Sequence, residues 1–160
     1  MADYLAIYLN DHLAGSTVGR ELSKRAAGEN RGTEFGDVLQ RLHEEIVEDR
    51  QSLLDIMRAL DVGEDHLKAA GALVMERLGR LKLNGQLFSY SPLSRLVELE
   101  GLALGVHGKS ALWRSLQHSD DPRLAGFDLA GLEARAMRQL DEIEDARLKA
   151  ARIAFQGRTP

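Results

Sequence analysis

Apolar residues recur every three or four positions along almost the whole chain, and no segment alternates apolar and polar residues as a strand does. Ser91 followed by Pro92 marks a helix start, while Thr33 and Asp128 provide caps for two other helices. The sequence therefore predicts an all-α fold in a single domain, residues 1–160. The spacing gives five helices, over residues 3–27, 34–60, 64–82, 92–118 and 129–155.

The fourth predicted helix is apolar on two faces, which indicates that both faces are buried. The stripe that we assign to the core contains Leu93, Val97, Glu100, Leu104, His107 and Ala111. The second face carries Leu99, Leu102, Val106 and Trp113. Either the short third helix covers this second face, or the face is an exposed interface. An exposed face favours a homodimer, because two-fold pairs are the commonest oligomers.

Helix lengths and loop lengths predict the topology. The short connections between the first two helices and between the last two predict two antiparallel hairpins. Residues 61–91 lie between the hairpins, and they are numerous enough to run the length of a bundle while containing one short helix. This pattern resembles the ferritin-like four-helix bundle, in which one long crossover joins two hairpins. The resemblance covers nearly the whole chain and rests on lengths and spacing.

The metal motif of that superfamily is absent from the sequence. Metal-binding members use a Glu-x-x-His pair on each of two helices, because residues three apart share a helix face. No histidine in this chain has a glutamate three positions before it. The resemblance therefore implies a degenerate member without the standard di-iron site, and no ligand residue carries over.

Polar residues nevertheless interrupt the apolar stripes. Reflection of the helices about their loops places His12, Asp49 and His107 in one layer, with Glu45 one turn away and Glu100 two turns from His107. These side chains are candidates to bind a metal ion, such as zinc or iron, or a small polar ligand. The alternative is a buried hydrogen-bonded network in which an arginine, such as Arg20 or Arg41, pairs with Glu100. The frequency of such networks in proteins favours this alternative.

The same reflection matches glycines on the first and fourth helices. Gly15 falls opposite Gly105, and Gly19 falls opposite Gly101. Each mid-helix glycine costs about 1 kcal/mol relative to alanine, so glycines at matching heights suggest a compensating role. Close approach of the two helix backbones is the favoured role, and room for a ligand is the alternative.

Composition excludes several classes of function. The chain has no cysteine, which excludes disulfides and thiolate chemistry. Its formal net charge of −4 and scattered basic residues argue against nucleic acid as a partner. No apolar run is long enough to span a membrane, and no signal segment is evident, so we expect a cytoplasmic protein.

Two functions remain open at this stage. The favoured one is a non-enzymatic helical bundle that acts through contacts with another protein, or with a second copy of itself. The alternative is a degenerate ferritin-like protein that binds a metal ion or small polar ligand inside the bundle. No cofactor is predicted for the first function, and a metal ion is the candidate for the second.

Overall fold

The computed structural model describes residues 3–64 and 90–156, and every regular element among these residues is a helix. The predicted all-α class is therefore confirmed for this part of the chain. The α-helices are α1 (Tyr4–Glu29), α2 (Gly36–Ala59), α3 (Pro92–Gln117) and α4 (Leu129–Gln156), with a 3₁₀ turn at Pro122–Leu124. The predicted short helix over 64–82 lies, apart from Glu64, outside the described residues.

Side-chain caps determine where several of these helices begin. The Asp3 carboxylate accepts a hydrogen bond from the Ala6 amide at 3.0 Å, and Ser91 forms a reciprocal capping box with Ser94. Asp128 accepts from the Gly131 amide at 2.9 Å, as its position in the sequence predicts. The prediction that Thr33 caps α2 is wrong. The Thr33 hydroxyl accepts a hydrogen bond from the Phe35 amide in the preceding turn, and the helix begins at Gly36.

The packing of the helices places α1 between α2 and α3, and α3 packs along α4. Helices α1 and α3 are antiparallel, since the Tyr8 hydroxyl donates to Ser115 at 3.3 Å at one end and Arg95 donates to Asn30 at 2.5 Å at the other. Helices α2 and α4 are also antiparallel. Arg41 pairs with Glu142, and Arg135 pairs with Glu48.

The connection between α2 and α3 joins opposite ends of the bundle. Near the start of α1, Asn10 donates a hydrogen bond to the Gly63 carbonyl at 3.0 Å. After the end of α1, Asn30 donates to the Tyr90 hydroxyl at 2.8 Å. These contacts are separated by 20 residues of helix and its cap, or about 30 Å at the rise of an α-helix.

The orientation of α3 corrects the sequence prediction. Leu99, Leu102, Val106 and Trp113 are each at most 3% exposed, so this face is buried and the alternative of an exposed interface is wrong. The stripe assigned to the core is the outer one, since Leu104 is 75% exposed and Leu93 is 51% exposed. Periodicity shows that both faces are apolar, but it does not show which one the other helices cover.

None of the helices among the described residues has the length and hydropathy needed to cross a membrane.

Candidate functional site

A cavity of about 400 Å³ lies between α1, α2 and α3. Its walls are mainly apolar and include Leu102, Val106, Leu112 and Trp113 of α3, together with Ile46 and Leu53 of α2. Helix α1 contributes Tyr8 and His12, followed by Gly15 and Gly19. The cavity is therefore located where three helices meet, in the half of the bundle that α4 does not line.

The glycines face this cavity, and this observation corrects their expected role. A methyl group added at Gly15, Gly19 or Gly105 would meet nothing within 4 Å among the described residues. Only Gly101 is close to the opposite helix, where an added Cβ would lie 3.0 Å from Leu22 Cδ2. Among the described residues, the space in front of Gly15, Gly19 and Gly105 is therefore open, which is not the tight packing expected of the pairs Gly15–Gly105 and Gly19–Gly101. Since Leu22 replaces Gly19 opposite Gly101, the helices are offset by about one turn from the predicted register.

A charged cluster forms the polar wall of the cavity. The Asp49 carboxylate, whose side chain is only 2% exposed, contacts the Lys109 ammonium through one oxygen and the Arg135 guanidinium through the other. Gln139 accepts a hydrogen bond from Lys109 at 2.5 Å and donates to Asp49 at 3.3 Å. Burial lowers the pKa of Lys109, and the neighbouring Asp49 carboxylate opposes that shift. The cluster links α2, α3 and α4.

Glu45 belongs to the outer part of the same cluster. It accepts a hydrogen bond from Gln139 at 2.8 Å and is contacted by Arg138. Its carboxylate therefore faces α4 rather than the histidines with which the sequence grouped it.

The two candidate histidines are not brought together. His12 is half-buried and lines the cavity, with its ring centroid 4.6 Å from that of Tyr8 in an edge-to-face arrangement. Burial lowers the pKa of His12, while the Asp11 carboxylate acts in the opposite direction. His107 is exposed, because it belongs to the outer stripe of α3. The predicted layer of His12, Asp49 and His107 is therefore wrong at His107.

Glu100 is also outside the site. Its side chain is 51% exposed, and its nearest ion-pair partner is Arg147 of α4 at 3.8 Å rather than Arg20 or Arg41. It lies on the same outer stripe as His107, so one wrong assignment of the core face misplaced both residues.

The described residues do not fit the metal ion that a ferritin-like resemblance suggests. No group of three or more His, Asp or Glu side chains within 3–64 and 90–156 could hold one. Asp49, the most buried candidate ligand, already has both oxygens in contact with cations. A carboxylate in this state would have to give up two ion pairs before it could bind a metal.

Two N–H donors beside the cavity have no acceptor among the described residues. They are Nε of Arg50 and Nε1 of Trp113, and both atoms are buried. Buried donors without an acceptor are costly, since burial removes their hydrogen bonds to water. Both side chains line the cavity, so a ligand in the cavity could supply the missing acceptors.

A second polar network lies at the other end of α1, away from the cavity. The Tyr90 hydroxyl donates to Glu98 at 2.8 Å and accepts from Asn30, while Arg25 pairs with Glu98 at 3.0 Å. The Arg95 guanidinium stacks over the Phe35 ring at 4.3 Å from its centroid. Burial raises the pKa of both Tyr90 and Glu98. This network fixes the start of α3 against the end of α1.

Sequence reasoning missed Arg50, Lys109, Arg135 and Gln139. A signal was present for Lys109, which occupies the helical position between Val106 and Trp113 on the buried face. Gln139 likewise lies between the buried residues Ala136 and Ile143. Polar residues at such positions can be recognised as buried partners of Asp49 once the buried face of the helix is known.

Comparison of the chain with known protein families, with curated proteins and with solved structures finds no match.

Proposed function

We propose that this protein binds a small, mainly apolar molecule in the cavity between α1, α2 and α3. The observation that supports the proposal is the cavity itself, whose volume of about 400 Å³ lies within the range of small-molecule sites. Its walls combine apolar side chains with a few polar groups, which is the composition typical of such sites.

The glycines provide a physical reason to regard the cavity as a functional feature of the protein. Each helical glycine costs about 1 kcal/mol relative to alanine, and this cost is usually offset where helices pack closely. Gly15, Gly19, Gly105 and Gly108 line the cavity without such a contact among the described residues. Packing among the described residues therefore does not offset their cost, and keeping space for a ligand would be a functional reason for them.

The charged groups favour binding over catalysis. The Asp49 carboxylate is neutralised by Lys109 and Arg135, so it is not free to act as a general base. A ligand would meet a fixed polar wall rather than an activated group.

We also propose that the chain is a degenerate ferritin-like bundle. Support comes from the antiparallel neighbours α1–α3 and α2–α4, and from a connection between α2 and α3 that joins opposite ends of the molecule. The site in this proposal holds an organic ligand, since the described residues lack a set of metal ligands.

Protein–protein contact receives less support than ligand binding. The residues that suggested an interface, Leu99, Leu102, Val106 and Trp113, are buried within the bundle. A homodimer stays a prediction, and its interface would have to be formed by a surface other than these residues.

Binding of N-phenyl-1-naphthylamine, a neutral apolar fluorophore, tests the proposed function. Trp113 is the only tryptophan and lines the cavity, so bound probe should quench its emission by energy transfer. Gly19→Leu should fill part of the cavity and weaken binding at least tenfold. Gly28→Leu, in the same helix but outside the cavity, is the matched control. Absence of saturable binding to the full chain, or equal binding to both variants, would overturn the proposal.

A further inference from the structure

The polar groups that line the cavity differ in whether they have hydrogen-bond partners. Asp49 Oδ2 accepts hydrogen bonds from Lys109 and Gln139, while Oδ1 makes no hydrogen bond to a described residue and is in ion contact with Arg135. The donors Arg50 Nε–H and Trp113 Nε1–H are not satisfied by any described residue. Because Asp49 Oδ1 already contacts a cation, the groups on this wall that lack any partner among the described residues are the two donors.

The two unsatisfied donors lie close to the same ion pair. Arg50 directly follows Asp49 on α2, and Trp113 lies one helical turn beyond Lys109 on α3. The contact between Asp49 and Lys109 joins the two helices that carry these donors, and both Arg50 and Trp113 line the cavity. A ligand bound in the cavity can therefore offer acceptors to both donors.

The electrostatic surroundings of Arg50 favour an anion as that group. Burial lowers the pKa of Arg50, the positive charge of Arg20 adds to this effect, and Glu64 opposes it. Asp11 at the cavity is exposed, so water already screens its charge. A guanidinium that is partly removed from water is stabilised by an anionic partner, and its planar geometry matches a carboxylate.

We propose that the ligand is a monocarboxylate with an apolar body, and that its carboxylate is bound by Arg50 and the indole N–H of Trp113. This inference rests on the proposed function, since it names the chemical class of the molecule in the same cavity. The apolar body would lie against Leu102, Val106 and the glycine-lined part of α1.

Competition against the neutral probe with a matched pair of ligands tests this inference. We choose 2-naphthoate and 2-naphthamide, which have the same ring system and differ in charge. The full-length protein should release the probe at a naphthoate concentration roughly tenfold lower than that of naphthamide, since a hydrogen bond to a charged group contributes about 1.5–3 kcal/mol. The ratio of the two concentrations cancels any change in affinity for the probe.

Variants then identify the side chain that binds the carboxylate of the ligand. Arg50→Gln should bring the ratio close to one, and Arg50→Lys, which keeps the charge but loses Nε–H, should leave an intermediate ratio. Arg58→Gln, on the same helix with a side chain 70% exposed, should leave it unchanged. Equal competition by the two ligands in the natural chain, or an unaltered ratio in Arg50→Gln, would overturn the inference while leaving the proposed function intact. Absence of probe binding would instead remove the proposed function.

Discussion

Asp49 on α2 and Lys109 on α3 are in direct contact inside the bundle, with side chains only 2% and 15% exposed. Arg135 of α4 contacts the other oxygen of the same carboxylate. One anion therefore holds two cations from two other helices, and the balance of charge at the cavity wall depends on it. Buried charges of this kind are strongly coupled, since removal of one partner leaves the others without compensation.

Loss of the central carboxylate should destabilise the protein strongly. We expect Asp49→Ala to lower the free energy of unfolding by about 3–5 kcal/mol, because the buried Lys109 would lose its anionic partner and Arg135 would keep only the exposed Glu48. Urea denaturation followed by circular dichroism measures the change. Glu100→Ala is the control, and at this exposed position the cost should stay within about 0.5 kcal/mol. Similar costs for the two variants would show that the cluster does not hold the helices together.

Alanine at the cavity glycines should stabilise the protein. At Gly15 and Gly105 an added Cβ meets no described atom within 4 Å, so the gain in helix propensity should appear almost undiminished. We expect each change to raise the free energy of unfolding by about 0.5–1 kcal/mol. Gly101→Ala should gain less, since its Cβ would press on Leu22. If Gly15→Ala or Gly105→Ala were destabilising, the helices would approach each other there, as the sequence pattern alone suggested.

The half-buried imidazole of His12 should make stability depend on pH. Burial depresses the pKa of His12 below its ordinary value of 6.5, so the unfolded chain binds its proton more tightly. The stabilising contribution is present above 6.5 and is lost as the pH falls through the lower pKa of the folded state. We expect the natural chain to lose stability relative to His12→Gln between about pH 7 and pH 5.

Thermal unfolding at a series of pH values measures that difference. His107→Gln serves as the control, because it removes an exposed imidazole from the outer stripe of α3. A constant difference between the natural chain and His12→Gln over the whole series would contradict the burial of His12.

Glu98 should have the opposite dependence. Burial raises its pKa above the ordinary value of 4.5, so the folded state binds the proton more tightly than the unfolded chain does. Its stabilising contribution is fully present below 4.5 and is lost as the pH rises through the raised pKa. We expect Glu98→Gln, which cannot ionise, to gain stability relative to the natural chain over this rise in pH. Unfolding titrations of both chains check this, and a gain in the other direction would show that the ion pair with Arg25 outweighs burial.

The sequence predicted those features that depend on local chemistry. Ser91 and Asp128 mark helix starts because their side chains cap the next turn, whatever the rest of the chain does. The buried position of Asp49 followed from the single apolar stripe of α2, which leaves one choice of inward face.

The hydrophobic pattern of the sequence did not predict features that depend on how the helices pack against each other. Helix α3 is apolar on both faces, so its periodicity could not decide between Leu104 and Leu102 as the core residue, and His107 was misplaced with the wrong face. The register of α1 against α3 is set by packing rather than by a short loop, and it differs from the reflected one by about a turn. Leu22 therefore occupies the place expected for Gly19.

A crystal of the full chain pressurised with xenon would test the cavity most directly, because xenon enters apolar cavities and is visible in diffraction data. Our account predicts xenon between α1, α2 and α3, beside Gly105 and Trp113, and its loss in crystals of Gly19→Leu. Protein side chains filling that space, with xenon absent from it in the natural chain, would contradict the account.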